Sequence, residues 1–133
     1  MVTSSVEEYL EAIYFLEEER ISTSTMEIAK RVGVSPPSVT EMLRRLADRG
    51  YIRYEPYRGV VLTDQGRRVG RRVTRKHRIL ECFLHDILSI RKDRAHRQAC
   101  EMEHALSDEA EDRLHKIMKY PDRCPDGKVI PTT

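Results

Sequence analysis

The chain is expected to be mainly α-helical with one small β-hairpin. Three observations predict this class. Apolar residues recur at spacings of three and four through most of the 133 residues, the period of amphipathic helices. The stretches rich in β-branched and aromatic residues are short, residues 51–55 and 60–63, and they flank Pro56-Tyr57-Arg58-Gly59, a turn sequence. The chain is 35% charged and 6% aromatic, has no Trp, and contains no run of eighteen apolar residues, so no membrane span is expected.

Residues 4–20 read as the first helix, with Ser4 or Ser5 as N-cap and Glu7 and Glu8 near the positive end of its dipole. Val6, Leu10, Ile13 and Leu16 form its buried stripe, edged by Tyr9 and Tyr14. Glu8 and Glu11, three apart, fall on a different part of its surface. Residues 21–24 read as a turn. Thr25 is the expected cap of a short helix with Ile28, Ala29 and Val32 inward, and Gly33 permits the positive φ that ends it. Ser35 then caps a third helix. Pro36 fits its first position, and Pro37 the second, where no intrahelical N–H is yet required. Its stripe is Val39, Met42, Leu43 and Leu46. A short helix, a tight Gly turn and a second amphipathic helix make a helix-turn-helix. The hairpin that follows, with Arg58 at its tip, makes this a winged helix-turn-helix over residues 1–63.

The second domain is expected over residues 64–133, opening with a long linking helix at about 64–90 capped by Thr63 or Asp64. Gly66 and Gly70, four apart, mark a face that approaches a neighbouring backbone closely. His77 and Glu81 share one face, and Cys82 points elsewhere. Residues 93–106 form a further helix, and Ser107 starts another over 107–120, where Asp108 to Glu111 resembles a capping box. That last helix carries Ala110, Leu114, Ile117 and Met118 as an apolar stripe, and a short terminal helix of this kind often packs on a second copy. The tail, 121–133, holds three Pro and one Gly and is expected to be irregular.

Charge and ligand chemistry point to function. The net charge is only +2, but residues 44–78 hold twelve Lys or Arg against three acids. Such a basic segment is an electrostatic footprint for a polyanion, the alternative being a solvated helix face. His96, Cys100, Glu103 and His104 are spaced by four, three and one, which places four potential transition-metal ligands on one helix face. That shell is incomplete. Glu8 with Glu11, or His77 with Glu81, could complete it. Three Cys without a CxxC argue against a disulfide framework and for a reducing compartment. The bland alternative for Cys100 is a buried small apolar side chain. His85 and His115 are read as non-ligands. Ligands without a separate acid–base constellation or a substrate lobe argue against an enzyme.

The segments EEYLEAIYFLEEE, VSPPSVTEMLRRLADRGYI, RKHRILECFL, ACEMEHALSDEAEDRL and CPDGKVIP, in this order, resemble the diphtheria toxin repressor family of iron-dependent and manganese transport regulators. The resemblance covers the family's two-domain core, without its SH3-like third domain. It implies a cytoplasmic homodimer whose second domain is a helical metal-binding and dimerisation domain. It also implies that Fe(II) or Mn(II) loading licenses binding to palindromic operators of metal-uptake genes, with double-stranded DNA as the partner and no membrane or small-molecule substrate. The implied primary metal site is Glu8, Cys100, Glu103 and His104, and the ancillary one is His77, Glu81 and His96. Manganese regulators also use the position of Glu11. Where this chain has Glu8, iron regulators carry Met and manganese regulators Asp, and manganese regulators have Glu in place of Cys100. The chain is therefore mixed. A soft thiolate favours Fe(II) over Mn(II), hard carboxylates tolerate Mn(II), and other divalent metals would substitute in vitro. Ligands on the first helix and on the 93–106 helix would share one ion and so set the recognition helices for successive major grooves. Toward DNA, Ser35, Ser38 and Thr40 offer hydroxyls, Pro37 an apolar contact to thymine methyl, and Glu41 an acceptor for cytosine, while Arg44, Arg58 and Arg53 would meet backbone. The rival functions are a manganese-specific regulator, an activator with the same chemistry, and a metal-independent winged-helix regulator.

Overall fold

A computed structural model describes residues 2–55 and 58–132, so Pro56 and Tyr57 of the expected hairpin turn lie outside the described residues. The element order is α1 (Ser4–Glu18), α2 (Thr25–Val32), α3 (Pro36–Asp48), β1 (Ile52–Glu55), β2 (Gly59–Leu62), α4 (Asp64–Cys82), a π-helical turn (Phe83–Ile87), α5 (Lys92–Met102) and α6 (Asp108–Ile117). The fold is the mainly helical, winged class that the sequence predicts. Contacts divide the chain into two units, Met1–Arg71 and Arg72–Thr133, with the division inside α4. Among the described residues no helix is long and apolar enough to cross a membrane.

In the first unit the expected stripes converge on one core. Leu10, Ile13 and Leu16 of α1 meet Ile28 of α2, Val39, Leu43 and Leu46 of α3, and Ile52, Val60 and Leu62 of the hairpin. The hairpin is antiparallel, with Ile52 opposite Leu62 and Glu55 opposite Gly59. Thr23, expected in a turn, instead bridges to Gly59 in parallel, and its hydroxyl donates to the Val60 carbonyl at 2.6 Å. This isolated bridge ties the wing to the α1–α2 connection. The glycine reading holds: a Cβ at Gly66 would collide with the Tyr51 carbonyl oxygen, and one at Gly70 would lie 3.0 Å from the Leu10 carbonyl oxygen. Gly33 ends α2 at φ 80°.

Two helix caps differ from expectation by one residue. Thr3, not Ser4 or Ser5, caps α1 and accepts from the Val6 N–H. Ser24, not Thr25, caps α2 and accepts from the Glu27 N–H. The second was legible, because Ser24-Thr25-Met26-Glu27 has the Ser-x-x-Glu form of a capping box. Ser35 and Ser107 cap α3 and α6 as expected.

The second unit has two small cores. Ile79 and Cys82 pack with Cys124 and Ile130 of the tail, while Leu80 and Leu84 pack with Ala95 and Ala99 of α5. The regular part of the long helix stops at Cys82 rather than Ile90, where the backbone widens into the π turn. Helix α5 stops at Met102 rather than near Leu106. Glu103 is its C-cap with a buried carboxylate, and Lys76 Nζ donates to the Leu106 carbonyl at 2.6 Å, which holds the chain in a turn. The tail is irregular but anchored, with an Arg123–Val129 bridge and buried Cys124 and Ile130.

Candidate metal centre and nucleic-acid interface

Helices α4 and α5 of the second unit bring five of the expected ligands together. His77 is the hub, buried at 1% exposure. Its Nδ1 lies 2.6 Å from Glu103 Oε1 and 3.9 Å from Cys100 Sγ. Its Nε2 lies 3.2 Å from both His96 Nδ1 and Glu81 Oε1. His96 Nδ1 is also 3.1 Å from Glu81 Oε2, and its Nε2 is 3.8 Å from Cys100 Sγ. Spacing produces this convergence. His77 and Glu81 stand one turn apart on α4, as His96 and Cys100 do on α5, so two pairs at i, i+4 face each other.

The electrostatics follow from the contacts. Burial alone would raise the Glu81 carboxyl, but hydrogen bonds from His77 and His96 outweigh it and hold it down at about 2. Burial likewise pushes the Cys100 thiol up, and the same two imidazoles pull it down to about 7. Cys100 and then Glu81 raise His96 to about 9. The cluster therefore favours a thiolate and a carboxylate, while His96 has to release its proton before it can ligate a cation.

Glu103 carries the fit to a metal. Among the described residues its Oε2 is buried and makes no hydrogen bond, and His104 Nε2 lies 3.8 Å from it. A buried carboxylate oxygen without a donor is costly, and a cation would satisfy it. Imidazole, thiolate and carboxylate together are a transition-metal donor set. Cys100 is exposed, which removes its reading as a buried apolar filler.

On the first helix, Glu8 is exposed but Glu11 is buried at 8%. The expectation that both lie on the helix surface away from the core fails for Glu11. Helix α1 is buried over more than its predicted stripe, since Tyr9, Ala12 and Phe15 are buried too. Glu8 lines a shallow groove of the first unit with Ser38, Met42 and Arg45. His85 Nδ1 is bonded to the Ile90 carbonyl, and His115 sits between Arg75 and the Pro121 carbonyl, so neither points into the cluster.

Helix α3 presents its polar face to solvent. Ser35, Pro37, Ser38, Thr40, Glu41 and Arg44 are all exposed. Ser35 is committed to the cap, accepting from the Ser38 N–H, and its hydroxyl lies 3.0 Å from Ser38 Oγ. Thr40 donates to the Pro36 carbonyl, and Glu41 pairs with Arg45 at 3.2 Å. On the wing, Arg53 and Arg58 both pair with Glu55, at 3.0 and 2.9 Å. Exposed pairs of this kind are weak enough to exchange for phosphate.

The basic segment is less available than its count suggests. Arg75 donates to Glu111 at 2.7 Å and to the Pro131 carbonyl at 2.8 Å. Arg78 donates to the Val129 carbonyl, Arg72 and Lys76 pair with Asp108, and Arg67 pairs with Glu17. Arg75, Lys76 and Arg78, all buried, hold the fold, whereas the Arg72–Asp108 pair is as exposed as those of the wing. The sequence reading missed this role because the partners lie far away along the chain.

Residues 1–60 match the family described as the iron dependent repressor, N-terminal DNA binding domain. Residues 63–132 match the iron dependent repressor, metal binding and dimerisation domain. The chain is 39% identical over 120 residues to the HTH-type transcriptional regulator MntR of Geobacillus kaustophilus, covering 90% of this chain and 84% of that protein. It is 37% identical over 130 residues to the diphtheria toxin repressor of Corynebacterium diphtheriae, covering 98% of this chain and 58% of that one. The structure of the manganese regulator SloR superposes with a TM-score of 0.86 at 36% identity, over 96% of this chain and 59% of that chain.

Proposed function

This chain belongs to the iron-dependent repressor family, and from that premise we propose that it senses Fe(II), with Mn(II) its second choice. At the level of the family it is a metal-dependent, DNA-binding transcriptional repressor and not an enzyme. The observation that carries the iron reading is Cys100. Its sulfur faces two imidazoles at 3.8 and 3.9 Å, and a thiolate ligand discriminates for Fe(II) and against Mn(II). Two things favour manganese as the second reading: the hard carboxylates Glu8 and Glu11, and the manganese named for the SloR relative.

The residues that would hold the ion are Cys100, Glu103 and His104 with Glu8, and Glu11 beside them. His77, Glu81 and His96 form a second set. When bound, the ion supplies the positive charge that these carboxylates and the thiolate lack among themselves. His77 orients the set through both ring nitrogens, to Glu103 on one side and to Glu81 on the other. Residues 1–63 form the DNA-binding domain, and residues 64–133, with the linking helix at about 64–90, form the metal-binding and dimerisation domain. Two copies bind palindromic operators of metal-uptake genes in the cytoplasm. In this reading Ser35, Ser38 and Thr40 contact phosphate or base edges, Pro37 and Glu41 face base edges, and Arg44 and Arg58 face the backbone. The exposed Ile87, Leu88, Ile117, Tyr120 and Val129 supply apolar surface suited to a second copy. Switching requires only that the ion bind the DNA-competent state more tightly than the other.

The test is anaerobic DNA binding to genomic fragments, titrating Fe(II) and Mn(II), with the native chain and Cys100→Ala. Activation by both metals, with the substitution selectively weakening Fe(II), is the expected result. Activation by Mn(II) alone, untouched by the substitution, makes this a manganese regulator. Binding indifferent to both metals and to chelator overturns the metal switch.

A further inference from the structure

The family resemblance implies two separate ligand sets, Cys100 with Glu8, Glu103 and His104, and His96 with His77 and Glu81. The structure does not keep them separate. One donor atom from each of His77, His96 and Cys100 lies within 4.8 Å of the other two. The sulfur is 3.9 Å from His77 Nδ1 and 3.8 Å from His96 Nε2. With metal–sulfur and metal–nitrogen bonds of about 2.3 and 2.0 Å, the sulfur–nitrogen edge of a tetrahedral site is about 3.6 Å. Both observed edges need to contract by a few tenths of an ångström, and His77 Nδ1 exchanges its 2.6 Å hydrogen bond with Glu103 Oε1 for the ion. All three residues lie in the second unit, on α4 and α5.

We infer that His77, His96 and Cys100 form a two-nitrogen, one-sulfur site for a borderline-soft divalent cation, Zn(II) or Co(II), that needs no ligand from α1. His77 is the buried wall of the site, while His96 and Cys100 are exposed and form its mouth, so the fourth position faces solvent. The inference deepens the sensing reading above and rests on it. It assigns the same thiolate to a second coordination mode, in which a soft cation occupies Cys100 and His77 without engaging Glu8 or Glu11. Zn(II) held there would withdraw Cys100 from the iron set and His77 and His96 from the second set. Excess Zn(II) is then expected to occupy the protein without reproducing the Fe(II) response.

The test is Co(II) titration of the full chain, followed by optical absorption. The expected spectrum has a near-ultraviolet thiolate-to-Co(II) charge-transfer band and intense visible bands of tetrahedral Co(II). Cys100→Ala should abolish the charge-transfer band. His96→Ala should weaken Co(II) binding by more than the roughly tenfold to hundredfold that losing an outer-shell partner costs. His96 is exposed, so the fold should survive, and circular dichroism checks that it does. Glu8→Ala and Glu11→Ala should leave both bands in place. The inference is overturned if His96→Ala leaves spectrum and affinity unchanged while Glu8→Ala or Glu11→Ala removes the charge-transfer band. That outcome gives the thiolate to the first-helix set and leaves the sensing reading standing. A protein that binds neither Co(II), Fe(II) nor Mn(II) overturns both.

Discussion

Three cysteines of one chain differ in reactivity because of where single side chains lie. Cys82 and Cys124 are buried in one small core, and Cys82 donates to the Arg123 carbonyl. Burial first, then the nearby Asp86 and Cys124, push the Cys82 thiol up to about 12. Cys100 alone is exposed. Because the thiolate is the nucleophile, a limiting alkylating reagent at neutral pH should modify Cys100 of the native, metal-free protein first. Peptide mass mapping checks this, and labelling of Cys82 or Cys124 ahead of Cys100 would contradict the core assignment. Gly66 is a second position where one atom decides the outcome. A Cβ there meets the Tyr51 carbonyl oxygen, which already accepts from the Thr63 N–H where the hairpin closes. Gly66→Ala should therefore cost about 1–3 kcal/mol, the usual penalty of overpacking, read as a shift in the denaturation midpoint. That close approach was legible in the Gly66–Gly70 spacing. The Cys100–His77 approach was not, because it depends on how α5 returns along α4.

Helix α4 is the element at which the sequence reading and the structure diverge most. The stretch from Arg67 to Arg78 in it is strongly basic, and a basic amphipathic helix reads as a polyanion surface. The structure turns Arg75, Lys76 and Arg78 inward, onto Glu111, Asp108 and the carbonyls of Leu106, Val129 and Pro131. These partners are 30 to 56 residues away along the chain, so no local pattern announces them. Burial of Arg is uncommon and demands pairing, which is why the surface reading is the natural one from sequence. The ends of the helices were misread for a milder reason. Thr3, Ser4 and Ser5 are all competent caps, and only the bond to the Val6 N–H selects among them. The Arg75–Glu111 pair makes the inward reading testable. Arg75→Met leaves the Glu111 carboxylate, 3% exposed, without its guanidinium partner, and should cost about 3–5 kcal/mol. Adding Glu111→Leu removes the stranded charge. The double variant should therefore unfold at a higher denaturant concentration than Arg75→Met alone. A double variant less stable than the single one would show that the pair is not coupled.

Fold class was legible from periodicity and turn chemistry, because both are local signals. Surface charge on the whole molecule was not, because it depends on which cations the fold consumes. Residues 44–78 carry an excess of nine positive charges. In the structure Arg67 is paired with Glu17, and Arg72, Arg75, Lys76 and Arg78 are engaged within the second unit. Arg44, Arg45, Arg49, Arg53, Arg58 and Arg68 remain exposed in the first unit, and of these Arg45, Arg53 and Arg58 hold only weak carboxylate pairs. Phosphate contacts release counterions, so the salt dependence of DNA binding counts the cations that reach the backbone rather than those in the sequence. Substituting Arg44 or Arg58 by Ala should reduce the slope of log affinity against log salt by about one per protomer and weaken binding similarly across sequences. The Arg75→Met, Glu111→Leu double variant should leave the slope unchanged, although it removes a cation from the same basic stretch. Equal reductions for that double variant and for Arg44→Ala would mean that the buried cations of α4 reach the duplex. The polyanion footprint read from the sequence would then be restored at the expense of the internal roles assigned to its cations.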